Sequence, residues 1–220
     1  MNTQKSKLRV VVLISGRGSN LRSIIKAMEE QKLPIDITAV ISNNENATGL
    51  DYAKEHNITT HAIDHKSFSN RLAFDQAMIK IIDQYHPQLV VLAGFMRLLT
   101  DEFVNHYLGK LINIHPSLLP AYRGLNTHQR ALDDGAKQHG ASVHFVTPEL
   151  DDGPVIAQSQ VPVQDNDSAD QLAQRVLTVE HVLYPEVIRL FAEHRLEMLE
   201  NQSILLDGQE LKTPLMINGN

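Results

Sequence analysis

Five consecutive apolar residues, Val10-Val11-Val12-Leu13-Ile14, run straight into the glycine-bearing turn Ser15-Gly16-Arg17-Gly18-Ser19. A short unbroken run of this kind reads as a strand covered on both faces, which is what a parallel sheet flanked by helices requires. The turn then opens an amphipathic segment from Asn20 to about Gln31, completing a first strand and helix unit. The pattern repeats along the chain. Ile37 to Ile41 reads as a second strand, Thr48 to His56 as a helix and Thr60 to Ile63 as a short third strand. A long helix capped by Ser69 follows, with Leu72, Met78, Ile79, Ile82 and Tyr85 at roughly helical spacing before Pro87 ends it. Leu89 to Ala93 is the next buried strand, Thr100 caps a short helix, and Leu111 to His115 is a further strand. This alternation predicts an α/β fold with a mostly parallel central sheet and helices on both faces. Ser142 to Val146 and Val155 to Val161 read as later strands of antiparallel character. Ser168 to about His194 reads as a long helix, Ile204 to Leu206 before Asp207-Gly208 as a small hairpin, and residues 213–220 as a loose tail.

The 220 residues contain no linker, repeat or low-complexity tract, so residues 1–220 are expected to fold as a single domain. A formal charge of −6 without a Lys/Arg run argues against nucleic acid and membrane surfaces as partners and leaves small molecules, with room for a local basic phosphate pocket. The absence of cysteine excludes disulfides, thiolate metal sites and a cysteine nucleophile, and fits a reducing compartment. Eleven histidines show no metal-ligand spacing, so no metal is expected. The run from Val10 to Ile14 is too short for a signal peptide or a membrane span, which makes a cytoplasmic location the expectation. Monomer and homodimer both remain open.

Chemistry concentrates in Asn113-Ile114-His115-Pro116-Ser117-Leu118-Leu119-Pro120. Strand side chains alternate, so Asn113 and His115 point to one face, and the two prolines stop the strand just beyond them. An amide and an imidazole converging at a strand's carboxyl end suit the stabilisation of a carbonyl oxygen that becomes an oxyanion. Loop-capping polar groups are the plainer reading of the same pair. The turn Ser15 to Leu21 stands where a first strand-helix turn binds phosphate. Leu21 replaces the third glycine of a dinucleotide fingerprint, and the second strand ends in Ser42-Asn43-Asn44 rather than an acidic residue, which disfavours NAD and favours a phosphate monoester on Gly18, Ser19 and Asn20. A tight turn with Ser19 or Asn20 as helix cap is the alternative. The loop Tyr122-Arg123-Gly124-Leu125, next to the site, reads as a flap over it, with a long connection as the other possibility.

Four motifs in register, Ser15-Gly16-Arg17-Gly18-Ser19-Asn20-Leu21, Leu92-Ala93-Gly94-Phe95-Met96-Arg97, Asn113 to Pro120 and Ser142-Val143-His144-Phe145-Val146, closely resemble the phosphoribosylglycinamide formyltransferases. The resemblance covers nearly the whole chain. It implies a Rossmann-like formyltransferase fold, with about 1–100 holding the ribonucleotide and about 101–212 the folate and the catalytic groups. It also implies transfer of a formyl group from 10-formyltetrahydrofolate to the primary amine of glycinamide ribonucleotide in purine (IMP) synthesis, without a metal or a covalent enzyme intermediate.

By resemblance the catalytic residues are Asn113, His115 and Asp151, with Asp151 the carboxylate that favours the charged form of His115. The residues themselves leave Asp151 and Asp152 equivalent; register against the family selects Asp151. The ribonucleotide is expected on Gly18, Ser19, Asn20 and Glu180. The folate is expected on Arg71, Met96, Arg97, Leu98, Leu99 and Asn113, and on the loop Thr147, Pro148, Glu149, Leu150 and Asp151. Leu177 departs from the bacterial pattern, which has a Gln three residues before the Glu. Alternatives are a formyltetrahydrofolate deformylase, another amine formyltransferase, or, from a different class, a non-catalytic nucleotide-binding module. Transformylases acting on methionyl-tRNA, and the deformylases, carry added domains for which a chain of this length leaves no room.

Overall fold

The computed structural model describes residues 7–30 and 32–218. The chain begins with β1 (Leu8–Ile14), α1 (Ser19–Glu29), β2 (Ile35–Ser42), α2 (Thr48–Glu55), β3 (Thr60–Ala62), α3 (Arg71–Asp83), β4 (Leu89–Leu92), α4 (Asp101–His106) and β5 (Leu111–His115). It continues through α5 (Thr127–Asp133), β6 (Gln138–Phe145), β7 (Val155–Pro162), α6 (Ala169–Ala192), β8 (Leu196–Met198), β9 (Ile204–Leu206), β10 (Gln209–Glu210) and β11 (Leu215–Met216).

Alternate residues of β1 feed two separate apolar cores. Val10, Val12 and Ile14 pack with Leu21, Ile24 and Ile25 of α1 and with Val176, Leu183 and Val187 of α6. Val11 and Leu13 pack on the opposite face with Phe74, Met78 and Ile82 of α3 and Phe103 of α4. The run from Val10 to Ile14 is wholly buried, each side chain contributing about 1.5 to 3 kcal/mol of transfer free energy. This two-sided burial is why the strand reads as an unbroken apolar string.

Eight strands form one sheet in the order β11-β7-β6-β5-β4-β1-β2-β3, and β10-β9-β8 form a second, small sheet. The pairs β1 with β2, β1 with β4, β2 with β3, and β4 with β5 are parallel. The pairs β5 with β6 and β6 with β7 are antiparallel. The sheet reverses its order between β1 and β4, the place where open α/β sheets leave a crevice at the strands' carboxyl ends. The Tyr184 hydroxyl of α6 braces this centre, 2.9 Å from the Leu92 carbonyl and 3.1 Å from that of Ile112.

Several local expectations change. Asn70, not Ser69, caps α3, its Oδ1 accepting the Ala73 N–H at 2.9 Å, because the helix begins at Arg71 and the cap is the residue just before it. Gln31 lies outside the described residues, and α1 ends before it at Glu29. The helix α5 carries too short a stripe of apolar residues to be read from spacing. Residues 213–218 are not loose throughout: Leu215 pairs with Ala157 and Met216 with Gln158, adding a parallel edge strand to β7. Two residues are too few to show a period. Ser168 caps α6 with a full capping box, and Asp207-Gly208 turns β9 into β10, the hairpin the sequence predicts.

Candidate active site

Asn113 and His115 leave β5 on the same face, and the antiparallel neighbour β6 sets His144 directly opposite Asn113. The turn after them is bolted in place. The Ser142 hydroxyl donates to the Ser117 carbonyl at 2.7 Å and accepts the Leu119 N–H at 3.0 Å, and Gln158 donates to the Leu119 carbonyl at 2.8 Å.

The ring of His144 is buried, and its Nδ1 lies 2.8 Å from the Phe145 carbonyl, an atom that can only accept. Nδ1 therefore carries the hydrogen. Burial pushes the imidazole below its ordinary range and keeps it neutral, so Nε2 accepts from Asn113 Nδ2 at 3.2 Å. One hydrogen of the Asn113 amide is thereby fixed and the second is left for another acceptor.

His115 is 5% exposed and faces an acceptor on each ring nitrogen. Nδ1 is 3.4 Å from Asp151 Oδ2, and Nε2 is 2.9 Å from the Tyr122 carbonyl. Asp151 Oδ2 also accepts the Gly124 N–H at 2.9 Å, and its Oδ1 lies 3.8 Å from His144 Nε2. Asp152 turns the other way and pairs with Arg123. The loop after Pro120 thus docks on His115 through a backbone carbonyl, a contact for which the sequence carries no signal.

The glycine turn meets α6 at the adjoining end of the sheet. Gly18 is the N-cap of α1 at φ 67°, and no side chain caps that helix, so neither Ser19 nor Asn20 serves as the cap. The first backbone N–H groups of α1 remain available to an anion. Asn20 Nδ2 donates to Glu180 Oε2 at 2.7 Å, while Asn20 Oδ1 is buried without a partner. Burial raises the Glu180 carboxyl above its ordinary range, opposed by that hydrogen bond. Gly18, Ser19, Asn20 and Glu180 are therefore together. Leu177 lies one turn before Glu180 on α6, is partly buried and offers no hydrogen bond. Ser15 links this turn to the neighbouring loop: its hydroxyl accepts the Met96 N–H at 2.7 Å and donates to Asn43 Oδ1 at 2.5 Å.

Around the mouth stand exposed apolar side chains from three loops: Met96 and Leu98 after β4, Leu125 after Pro120, and Leu150 in the segment 147–151. Thr147 is buried, whereas Pro148 and Glu149 are exposed. Arg71, at the first turn of α3, and Arg97, after β4, both act on the buried Asp75, whose Oδ2 accepts the Thr100 N–H at 2.6 Å. Desolvation dominates there and raises the Asp75 carboxyl, with Thr100 and the two arginines opposing. Among the described residues no group of three or more His, Asp or Glu side chains could hold a metal ion, and no helix is long and apolar enough to cross a membrane.

An amide with one free N–H, an imidazole backed by a carboxylate and a phosphate-type helix start all lie at the carboxyl ends of the central strands β1 and β5. The profile of the formyl transferase family matches residues 8–188. The phosphoribosylglycinamide formyltransferase of Escherichia coli (strain K12) is 53% identical over 204 residues, 93% of this chain and 96% of that protein. A solved structure of the phosphoribosylglycinamide formyltransferase from Coxiella burnetii, in complex with CHES, superposes with a TM-score of 0.91 at 49% identity, covering 96% of this chain and 99% of that one. Glycinamide ribonucleotide transformylase 1 from Symbiobacterium toebii gives 0.89 at 40% identity, over 94% of this chain and 97% of that one. Likeness of this extent in both sequence and backbone has one consequence for classification: the chain belongs to the formyl transferase family.

Proposed function

We propose that the protein transfers the formyl group of 10-formyltetrahydrofolate to the primary amine of N1-(5-phospho-D-ribosyl)glycinamide, giving the N-formyl product and tetrahydrofolate in purine synthesis. The relatives that match over nearly their whole length support this acceptor. The observation that carries the chemistry is the placement of Asp151 against His115, with the free Asn113 N–H on the same face.

Attack of the amine on the formyl carbon makes a tetrahedral species whose oxygen turns negative. The second Asn113 hydrogen is the donor for that oxygen, and the His115 imidazolium brings positive charge beside it, so both act more strongly on the transition state than on the ground state. His115 is also the acid-base group: with Nε2 released from the Tyr122 carbonyl to face substrate, it gives a proton to the departing folate nitrogen and takes up the one the amine loses, while Asp151 holds the ring at Nδ1. The ribonucleotide phosphate rests on Gly18, Ser19 and Asn20, and Glu180 accepts from the ribose hydroxyls. With Leu177 apolar, that end relies on the backbone of the turn. The folate lies against Met96, Leu98, Leu99 and the segment from Thr147 to Asp151, with Arg71 and Arg97 as the cations for its glutamate carboxylates.

The test is ultraviolet absorbance of the protein with a 10-formyl folate, with and without the ribonucleotide. Release of deformylated folate that depends strictly on the ribonucleotide is expected. Release without it would make the protein a deformylase, and release under neither condition would leave a binding module.

A further inference from the structure

The segments 121–126 and 147–153 each contribute to the surroundings of His115, and each contains strained backbone. Tyr122 sits at φ 55° and Asp151 at φ 49°, a left-handed conformation unfavourable for a residue other than glycine. Such conformations persist only where neighbouring contacts hold them. Two contacts join the segments directly: the Gly124 N–H donated to Asp151 Oδ2 at 2.9 Å, and the Arg123–Asp152 ion pair. Arg123 lies between Tyr122 and Gly124 in sequence, and Asp152 follows Asp151. The far side of the first segment is anchored by Arg130 of α5, whose Nη1 donates to the Arg123 carbonyl at 2.6 Å.

We infer that Arg123 and Asp152 are positioning residues, a charge clamp between two strained loops that keeps the Asp151 carboxylate against Nδ1 of His115. The inference rests on reading His115 and Asp151 as the catalytic pair. Asp151 Oδ2 serves the Gly124 N–H and His115 Nδ1 together, so a shift of the first loop moves the carboxylate that faces the ring. Both members of the clamp are 43% exposed, so its effect is modest and screened by salt.

The test uses the full chain with Arg123→Asp, Asp152→Arg and the two combined. Each single reversal places like charges together and is expected to lower kcat about fivefold, with KM for the ribonucleotide within about twofold of the parent. It is also expected to speed hydrogen exchange in the segment 121–126, where the Gly124 amide lies. The double reversal restores the attraction and brings both readouts back to within about twofold of the parent; at about 1 M salt the differences among the four proteins shrink. A double reversal as impaired as the single ones, or single reversals indistinguishable from the parent in both readouts, would overturn the clamp. Exchange needs no turnover: restored protection in the double reversal supports the clamp even where the parent releases no folate, and in that case the proposed activity is what fails.

Discussion

Asn113 donates one amide hydrogen to Nε2 of His144, 3.2 Å away on the neighbouring antiparallel strand, and this bond decides which end of the amide carries a free hydrogen. Replacing His144 with Leu removes the acceptor and frees the amide to turn. A loosened donor of this kind is expected to lower kcat about 10- to 100-fold while KM for the ribonucleotide changes little. Steady-state kinetics with each substrate varied in turn checks it, and an unchanged kcat would show that the amide needs no such support.

Removing either reacting group costs more. His115→Ala is expected to lower kcat on the order of 10²- to 10⁴-fold, and Asn113→Ala on the order of 10²- to 10³-fold. Ribonucleotide affinity, read by calorimetry, should stay near that of the parent in both. Full turnover in His115→Ala would remove the imidazole from the mechanism.

Glu180 carries a pH-dependent stability cost. Its carboxyl is raised above the ordinary 4.5 because it is 7% exposed, so between that value and its own higher one the folded protein holds a proton that the unfolded chain has released. Stability therefore falls as pH rises through that window, and the loss persists at neutral pH. Glu180→Gln keeps an acceptor for Asn20 and loses the charge. The variant is expected to melt about 2 to 4 °C higher at pH 7 and to show a KM for the ribonucleotide raised about 10-fold. A melting temperature at or below the parent's would contradict this account.

Behind the site, His128 Nδ1 and His139 Nε2 lie 3.1 Å apart, and the Tyr122 ring stands edge-on to His139. Desolvation, and then the charges of His128 and His115, lower His139 from the ordinary 6.5 to about 4. The unfolded chain takes up a proton near 6.5 that the folded protein refuses until about 4, so this contribution is complete above 6.5 and is lost as pH falls through the window. Between pH 7 and pH 5 the loss from this ring is about 2 kcal/mol. His139→Gln should flatten the stability profile over that interval, measured by denaturant midpoints. A parallel slope in the variant would assign the acid sensitivity elsewhere.

The strands were legible wherever burial is two-sided, as from Val10 to Ile14 and from Leu89 to Leu92, because an apolar run interrupted by glycine or proline leaves few alternatives. Short elements at the margins, α5 and β11, escaped because neither is long enough to show a period. At the site, side chains on one strand were legible from alternation alone, so Asn113 and His115 were paired before any fold was known. Partners that come from other strands were not. His144 becomes the acceptor of Asn113 only through the antiparallel register, and the Tyr122 carbonyl is a backbone atom that any residue could supply. Asp151 and Asp152 looked equivalent in sequence, and the backbone separates them: one turns inward to His115 and the other outward to Arg123.

The ladder between β5 and β6 divides labour between inheritance and variation. Asn113, His115 and His144 keep their relation so long as Asn113 stays opposite His144, and a slip of one residue would turn His144 to the far side of the sheet. The segments 15–20, 95–99, 121–126 and 147–153 lie beyond the strand ends and can lengthen, shorten or change charge without touching that pairing. The rim of the sheet can therefore be edited while a few hydrogen-bonded rungs keep the relation of Asn113, His115 and His144 intact.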